Sequence, residues 1–164
     1  MNERDQGFTE YFASRSSAMR GTAFLLCGDW HRAEDLVQNT FVKLYRAWNR
    51  IEALDALDGY TRQILVHTYL DEARRGFFFR EKVTAEQADR TAPIAGSPED
   101  RLVLLHALAG VPARQRAALV LRFWEDLSVE ETARAMGCST GTVKSQTSRG
   151  LDALRDLVPT TITH

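Results

Sequence analysis

The side chains best suited to bind a ligand lie near the C-terminal end of the chain, where hydroxyl, amide and cationic groups recur on one side of a predicted helix. Groups of these types donate hydrogen bonds to phosphate oxygens and to the edges of nucleic acid bases. The same face lacks the acidic–basic pairs of a typical solvated helix, which favours DNA as its ligand. The residues concerned are Thr142, Lys144, Ser145, Gln146, Ser148 and Arg149.

Two short predicted helices, joined by a tight turn, would hold this polar face in place. Ser128 can cap the first helix, and Glu131 completes a capping box. Gly137 can adopt the positive φ that ends a helix, and Ser139 can cap the second one. Two helices with a short glycine-containing turn are the helix-turn-helix pattern of proteins that bind the DNA major groove. The inward face of the second helix is predicted to be Val143, Thr147, Leu151 and Leu154.

The same pattern also fits an ordinary helical hairpin whose polar face only contacts water. The charge of the whole chain offers no support for tight DNA binding. The 164 residues carry a formal net charge of -1, and the sequence pI is near 6.4. That is not the basic surplus of a protein that holds DNA by itself. We therefore expect either a modest affinity for DNA or a partner that supplies much of the grip.

The composition excludes several classes of function. With 44% hydrophobic residues the chain can bury a core, which excludes a largely disordered protein. Its two cysteines, Cys27 and Cys138, lie far apart without metal-ligand spacing, and no phosphate loop or nucleophile–base arrangement is present. We predict a cytoplasmic protein that is not an enzyme and needs no metal or cofactor. We also predict no membrane insertion, because the N-terminus is polar and no apolar run reaches membrane-spanning length.

Helical periodicity dominates the N-terminal half, where helices are predicted over about 8–26, 30–49 and 60–75. The second of these has the strictest apolar stripe. Its other face is polar, with apolar area added by Val42 and Tyr45, which fits either plain solvation or a surface for a protein partner.

An aromatic and basic segment follows the third predicted helix. Three consecutive phenylalanines, Phe77, Phe78 and Phe79, stand among cations that include Arg74 and Arg80. The rings could stack on unpaired bases while the cations hold the nucleic acid backbone, or they could close the core of their own domain.

Residues 83–97 have no apolar periodicity and contain proline and glycine, so we predict a flexible linker there. Helices resume at Ser97-Pro98, a cap followed by proline in the first turn, and continue to the helix-turn-helix segment. The sequence therefore predicts an all-α protein made of two small helical domains joined by a flexible linker.

Two segments of the chain together resemble the sigma factors of bacterial RNA polymerase, in the extracytoplasmic-function (ECF) group and its SigE-like actinobacterial subgroup. Residues 33–38 (AEDLVQ), with the aromatic positions that follow them, resemble region 2 of that family. Residues 141–145 (GTVKS) and 149–151 (RGL) resemble region 4. The order and separation of the two segments make the resemblance specific. It implies region 2 at 1–82, a linker at 83–97, region 4 at 98–158 and a tail at 159–164.

The resemblance implies an alternative sigma factor that binds core RNA polymerase, through the β′ clamp and the β flap, and directs initiation at specific promoters. Promoter DNA would be the second partner, and an anti-sigma factor is a candidate inhibitor. Core polymerase supplies most of the grip on DNA in this family, which would account for the near-neutral charge. The face that docks on the β′ clamp would consist of Asp35, Gln38, Asn39, Val42 and Lys43.

The minus-ten promoter element would be recognised and melted by the loop after the second helix and by the third helix. In this family the loop captures a flipped base. Extruding a base costs a few kcal/mol, least at weak A·T steps, which would make melting selective for sequence. The candidate contacts are Ala53, Leu54, Asp55, Tyr60, Arg74, Arg75 and Arg80.

The minus-35 element would receive the second helix of the helix-turn-helix in its major groove. The candidate contacts in that helix are Thr142, Lys144, Ser145, Gln146 and Arg149. Candidates for contacts to phosphates are Arg116, Arg122 and Arg134.

Three departures from the family pattern concern promoter choice. His67 stands where the family usually has asparagine, and the phenylalanines at 77–79 replace a run that is often rich in arginine. Gln146 replaces a common arginine, and glutamine prefers adenine edges to guanine edges.

Two other functions compete with this interpretation. The chain could be a helix-turn-helix regulator that dimerises through its N-terminal bundle and binds a palindrome without polymerase. It could also be an enzyme with an appended DNA-binding domain, although residues 1–82 contain no convergent catalytic set. Stable binding to core polymerase separates these alternatives from a sigma factor.

Overall fold

The computed structural model describes residues 2–51, 54–76 and 97–158, and every regular element within these ranges is helical. The predicted all-α class is therefore confirmed. No helix in this part of the chain combines the length and apolar character needed to cross a bilayer. Short 3-10 turns lie at Trp48–Arg50 and Leu54–Ala56, and a π-helical turn lies at Val120–Trp124. The α-helices are α1 (Glu3–Cys27), α2 (Trp30–Ala47), α3 (Leu57–Arg74), α4 (Pro98–Ala109), α5 (Ala113–Leu119), α6 (Val129–Met136) and α7 (Thr140–Leu157).

Side-chain caps fix where most of these helices begin. Ser128 and Glu131 form the predicted capping box at the start of α6, and Ser139 caps α7. Helices α1 and α6 end at Gly28 and Gly137, which have φ values of 78° and 68° and so need a residue without a Cβ. The helix-turn-helix geometry thus follows from the capping residues that the sequence supplies.

Two predicted helix starts were wrong. Helix α1 begins at Glu3 rather than near Phe8, because the side chain of Asn2 accepts a hydrogen bond from the backbone N–H of Asp5 and caps an earlier turn. Helix α3 begins at Leu57 rather than at Tyr60. The carboxylate of Asp58, in the first turn of this helix, receives a hydrogen bond from the hydroxyl of Tyr11 at 2.7 Å.

Helices α1 and α2 pack together through a cluster of aromatic rings. The ring of Phe8 in α1 meets the rings of Phe41, Tyr45 and Trp48 edge-on, with centroids 5.0–6.1 Å apart. Such edge-to-face pairs add to the stabilisation that burial itself provides. Helix α2 therefore packs against its neighbours with its apolar face, and its polar face remains exposed.

The two halves of the protein are in contact, and one apolar core runs through both. It joins Leu26 and Tyr69 of the N-terminal half to Leu105 and Leu121 of the C-terminal half, all of them almost fully buried. Helix α3 lies against α6, the first helix of the helix-turn-helix. The helices before and after the undescribed segment 77–96 thus share one core in this arrangement.

Two glycines in α7 offer a matched test of its packing. A Cβ at Gly150 would lie 3.0 Å from Leu119 Cγ and 3.2 Å from the Gln115 carbonyl, whereas one at Gly141 would meet nothing closer than 3.8 Å. We expect Gly150→Ala to lower the free energy of unfolding by about 1–3 kcal/mol through overpacking. Gly141→Ala should raise it by up to about 1 kcal/mol, because alanine loses less chain entropy. Urea unfolding of both variants measures this, and equal effects would contradict the α5–α7 packing.

Candidate functional site

The polar face of α2 gathers the predicted polymerase-docking residues. Asp35, Gln38 and Asn39 are exposed, and Val42 on the next turn has a relative exposure of 49%. Positions separated by three, four and seven residues lie side by side on a helix. The structure therefore brings these four residues together into one exposed patch, called the α2 patch below.

Helix α3 supports the edge of the α2 patch. The exposed Lys43 donates a hydrogen bond from Nζ to Thr68 Oγ1 at 2.9 Å, and Asn39 Nδ2 donates to Glu72 Oε1 at 3.4 Å. Partial burial raises the pKa of Glu72 above its usual value, while the hydrogen bond from Asn39 opposes that shift. Lys43 is thus tied to α3, so it borders the α2 patch.

The structure describes five of the seven predicted minus-ten residues, and these five lie in two places. Asp55 is exposed in the 3-10 turn before α3, which Leu54 begins, and Tyr60 is exposed in the first turn of α3. Arg74 and Arg75 are exposed at the other end of α3, where both pair with the carboxylate of Asp71. Exposed ion pairs of this kind contribute little to stability, so DNA phosphates could replace Asp71 as partners at low cost. Ala53, Arg80 and the phenylalanines at 77–79 lie outside the described residues.

The predicted minus-35 face occupies the N-terminal half of α7. Lys144, Ser145 and Arg149 are exposed, whereas Thr142 and Gln146 are half-buried. The hydroxyl of Thr142 is hydrogen-bonded to Ser139 Oγ at 3.0 Å. Two cations therefore point to solvent on one helix face, where they can donate to phosphates and base edges. The exposed hydroxyl of Ser145 donates to the carbonyl of Thr142 at 3.0 Å.

Gln146 faces a groove between the two halves rather than open solvent. His67 and Arg74 of α3 and Met136 of α6 line the same groove, whose volume is about 580 Å³. The predicted minus-ten helix and the predicted minus-35 helix thus lie on opposite walls of one groove.

The three arginines expected on phosphates differ in their surroundings. Arg134 is exposed at the end of α6, as a phosphate contact requires. Arg122 is half-buried, and its guanidinium donates to the carbonyl of Leu127 within its own loop. Arg116 is also half-buried, and its guanidinium donates more hydrogen bonds to backbone carbonyls than that of Arg122 does. In this arrangement both side chains therefore stabilise the fold instead of reaching toward solvent.

The guanidinium of Arg116 donates four hydrogen bonds to three backbone carbonyls. Nη1 lies 2.6 Å from the carbonyl oxygen of Leu26, at the C-terminal end of α1. Nη2 lies 2.8 Å from the oxygens of Ala109 and Val111, and Nε lies 3.2 Å from the latter. Carbonyls at the end of a helix have no partner within the helix, and a cation there also opposes the negative end of the helix dipole. Arg116 is therefore a clamp for the ends of α1 and α4.

Sequence periodicity missed an apolar groove on the C-terminal half. Phe123, with a relative exposure of 60%, lines it together with Leu151, which we had predicted to face inward but which is 36% exposed. The π-helical turn explains the exposed ring. Glu125 N donates to Val120 O at 3.0 Å, five residues back, and the extra residue rotates the side chains that follow. The remaining lining residues are Leu25, Leu108, Leu119, Val120, Trp124 and Leu154.

The clamp role of Arg116 is testable by stability alone. We expect Arg116→Ala to lower the free energy of unfolding by about 2–3 kcal/mol, because three carbonyls lose a charged donor. The exposed Arg114, two residues earlier in the same helix, is the matched control, and Arg114→Ala should change stability by less than about 0.5 kcal/mol. Urea denaturation measures both. Similar small losses in the two variants would contradict the clamp.

Comparison with known proteins adds two family matches. The family described as Sigma-70 region 2 matches residues 12–76, and the family described as Sigma-70, region 4 matches residues 101–154. The RNA polymerase sigma-E factor of Streptomyces coelicolor is 36% identical over 154 residues, which cover 91% of this chain and 84% of that protein. The ECF RNA polymerase sigma factor SigE of Mycolicibacterium smegmatis is 36% identical over 141 residues, which cover 82% of this chain and 54% of that protein.

Solved structures show the same fold. The sigma factor RpoE of Bartonella quintana, in complex with the anti-sigma factor NepR, superposes with a TM-score of 0.71 at 24% identity, and the match covers 97% of this chain and 99% of that one. CnrH, in complex with the cytosolic domain of CnrY, superposes with a TM-score of 0.64 at 20% identity, and the match covers 93% of this chain and 88% of that one.

Proposed function

We propose binding partners for the exposed surfaces of this chain, which belongs to the sigma-70 family and is an alternative RNA polymerase sigma factor of the ECF group. Sigma factors are non-catalytic factors of transcription initiation. Because the chain belongs to this family, we set aside the alternative function of a dimeric helix-turn-helix regulator. What remains to be assigned is which residues bind polymerase and which read the promoter.

Core polymerase docks on the α2 patch through its β′ clamp. The observation that carries this assignment is the exposed side chain of Val42 amid the polar groups of Asp35, Gln38 and Asn39 on one helix face. Protein interfaces have an apolar centre and a polar rim, and these four residues offer that arrangement on a small scale. We assign the second contact, with the β flap, to the apolar groove around Phe123, which offers exposed nonpolar surface on the C-terminal half.

Promoter DNA is read at two places. The turn that holds Asp55, the start of α3 at Tyr60, and the exposed Arg74 and Arg75 bind the minus-ten element. The α7 face reads the minus-35 element. Arg134 adds a phosphate contact, whereas Arg116 and Arg122 are withdrawn from the DNA contacts because their guanidinium groups are bound to carbonyls. The protein's small net charge suits this division, since polymerase supplies the remaining grip on the phosphates.

An anti-sigma factor is the proposed inhibitor. Of the two proteins of similar fold, the sigma factor RpoE was solved with the anti-sigma factor NepR, and CnrH was solved with the cytosolic domain of CnrY. A partner that covers the α2 patch would prevent docking on polymerase.

The docking assignment is tested by binding to purified core RNA polymerase. The double variant Asp35→Ala, Gln38→Ala should bind about tenfold more weakly or worse, because it removes two polar contacts next to the apolar centre. The matched control is Glu10→Ala, Ser17→Ala, which changes two exposed residues of α1 and should bind like the wild type. Undiminished binding by the first variant would refute the assignment, and absence of binding by a folded wild type would refute docking altogether.

The minus-35 assignment predicts a change of base preference. Gln146→Arg should shift selection from adenine toward guanine at one position of the element, by about 1–3 kcal/mol, because arginine pairs with guanine edges. Ser148→Arg adds the same charge to the exposed face and should strengthen binding without changing base preference. Transcription from a library with a randomised minus-35 element, reconstituted with core polymerase, measures both. An unchanged preference in the Gln146 variant would place this side chain away from the bases.

A further inference from the structure

We propose that the first half of α1, which contributes no residue to the contacts assigned above, positions the minus-ten reading surface through the side chain of Tyr11. Tyr11 is a positioning residue, because it acts through Asp58 of α3 and does not itself contact DNA. The inference rests on the proposed function, since it concerns how the residues that read the minus-ten element are held in place.

The hydroxyl of Tyr11 reaches the first turn of α3. It donates a hydrogen bond to Oδ1 of Asp58 at 2.7 Å and lies 3.1 Å from Oγ1 of Thr61, which is buried. Positions three residues apart share a helix face, so Asp58 and Thr61 present the same side of α3 to α1. Tyr60, which stands between them in the chain, is exposed on another side. The contacts of Tyr11 therefore fix the rotation of α3 where its reading side chain faces solvent.

A second residue of α1 holds the same carboxylate. Nη2 of Arg15 donates to the other oxygen, Oδ2 of Asp58, at 2.7 Å. The two side chains of this ion pair are 50% and 45% exposed, so the pair adds little to stability. It orients the carboxylate instead, because each of the two oxygens of Asp58 now has a donor from α1.

The ring of Tyr11 packs at the other end of the segment that leads into α3. Its centroid lies 6.0 Å from that of Trp48, the residue that follows α2. Phe8, one turn earlier in α1, packs on the same indole with centroids 5.4 Å apart. Between Trp48 and Asp58 the chain carries the exposed Asp55, which we assign to the minus-ten element. Tyr11 thus contacts both ends of the segment that holds this reading residue.

The hydroxyl of Tyr11 stays protonated at neutral pH. Burial raises the pKa of this phenol to about 12, and the hydrogen bond to Asp58 acts in the same direction. A neutral phenol can donate a hydrogen bond, and a carboxylate can only accept one. The bond therefore persists throughout the neutral pH range and gives a permanent connection between α1 and α3.

A turn that is already ordered binds a ligand at a lower entropic cost than a mobile one. Asp55 and Tyr60 stand three residues before and two residues after Asp58. Because α1 holds the backbone between them, these two side chains need less ordering when DNA binds. Loss of the Tyr11 hydroxyl should therefore weaken the reading of the minus-ten element more than any other function of the chain.

Two tyrosine-to-phenylalanine variants of the full chain form a matched pair. Tyr11→Phe keeps the ring in the aromatic cluster and removes only the hydroxyl. Tyr45→Phe makes the same change in the same cluster, where the hydroxyl donates to Asp5 Oδ1 at 2.7 Å and accepts a bond from Arg4. The ring of Tyr45 packs on Phe8 at 5.0 Å, and this residue belongs to neither the α2 patch nor the minus-ten surface.

Transcription with core polymerase from a library with a randomised minus-ten element gives the readout. Tyr11→Phe should reduce discrimination among bases in this element by about threefold or more, the factor that one hydrogen bond typically contributes. Tyr45→Phe should keep the wild-type preference. Both variants should bind core polymerase like the wild type and keep its preference in a randomised minus-35 element, which a general loss of stability would not permit.

The outcomes separate the positioning role from the proposed function. An unchanged minus-ten preference in the folded Tyr11 variant, or equal losses in the Tyr11 and Tyr45 variants, would overturn the positioning role. If the wild type directs transcription from no member of the library, the proposed function itself is overturned.

A double-mutant cycle tests whether Tyr11 acts through Asp58. Asp58→Ala removes the acceptor and should reduce minus-ten discrimination at least as much as Tyr11→Phe, because it also releases Arg15. The variant with both changes should lose less than the product of the two separate fold-losses, since the second change removes a bond that is already absent. Losses that multiply would show that the two side chains act independently and would overturn the proposal.

Discussion

The arrangement depends on carbonyl groups at the ends of two helices that need a hydrogen-bond donor. Helix α1 ends at Cys27 and α4 ends at Ala109, and the single guanidinium of Arg116 reaches the carbonyls of Leu26 and Ala109. Buried carbonyls without a partner are costly, so this side chain fixes the position of α1 against α4 and α5. The contact of α3 with α6, and the groove between them, lie across the same boundary.

The functional surfaces do not depend equally on this alignment. The α2 patch is exposed while the halves are together. The two DNA-reading helices are constrained, because α3 rests on the helix-turn-helix and Gln146 turns toward the groove.

Sequence reasoning succeeded where structure is set locally and failed where it is set by distant contacts. Ser128, Glu131, Gly137 and Ser139 act within a few residues of themselves, so the helix-turn-helix could be predicted from spacing. The residues of the α2 patch follow from helical period alone. Arg116 was expected on phosphates because nothing in its neighbourhood indicates that Leu26, 90 residues earlier, accepts its hydrogen bond. The exposure of Phe123 escaped prediction because a single extra residue in a π-helical turn changes the helical phase.

The measurement that tests the account most directly is the mapping of transcription start sites made by purified core polymerase on genomic DNA, with and without this protein. The account predicts new, discrete start sites in its presence, each preceded by two recurring sequence elements, because two separate surfaces of the protein read DNA. Start sites identical to those of core polymerase alone, or a single recurring element, would contradict it.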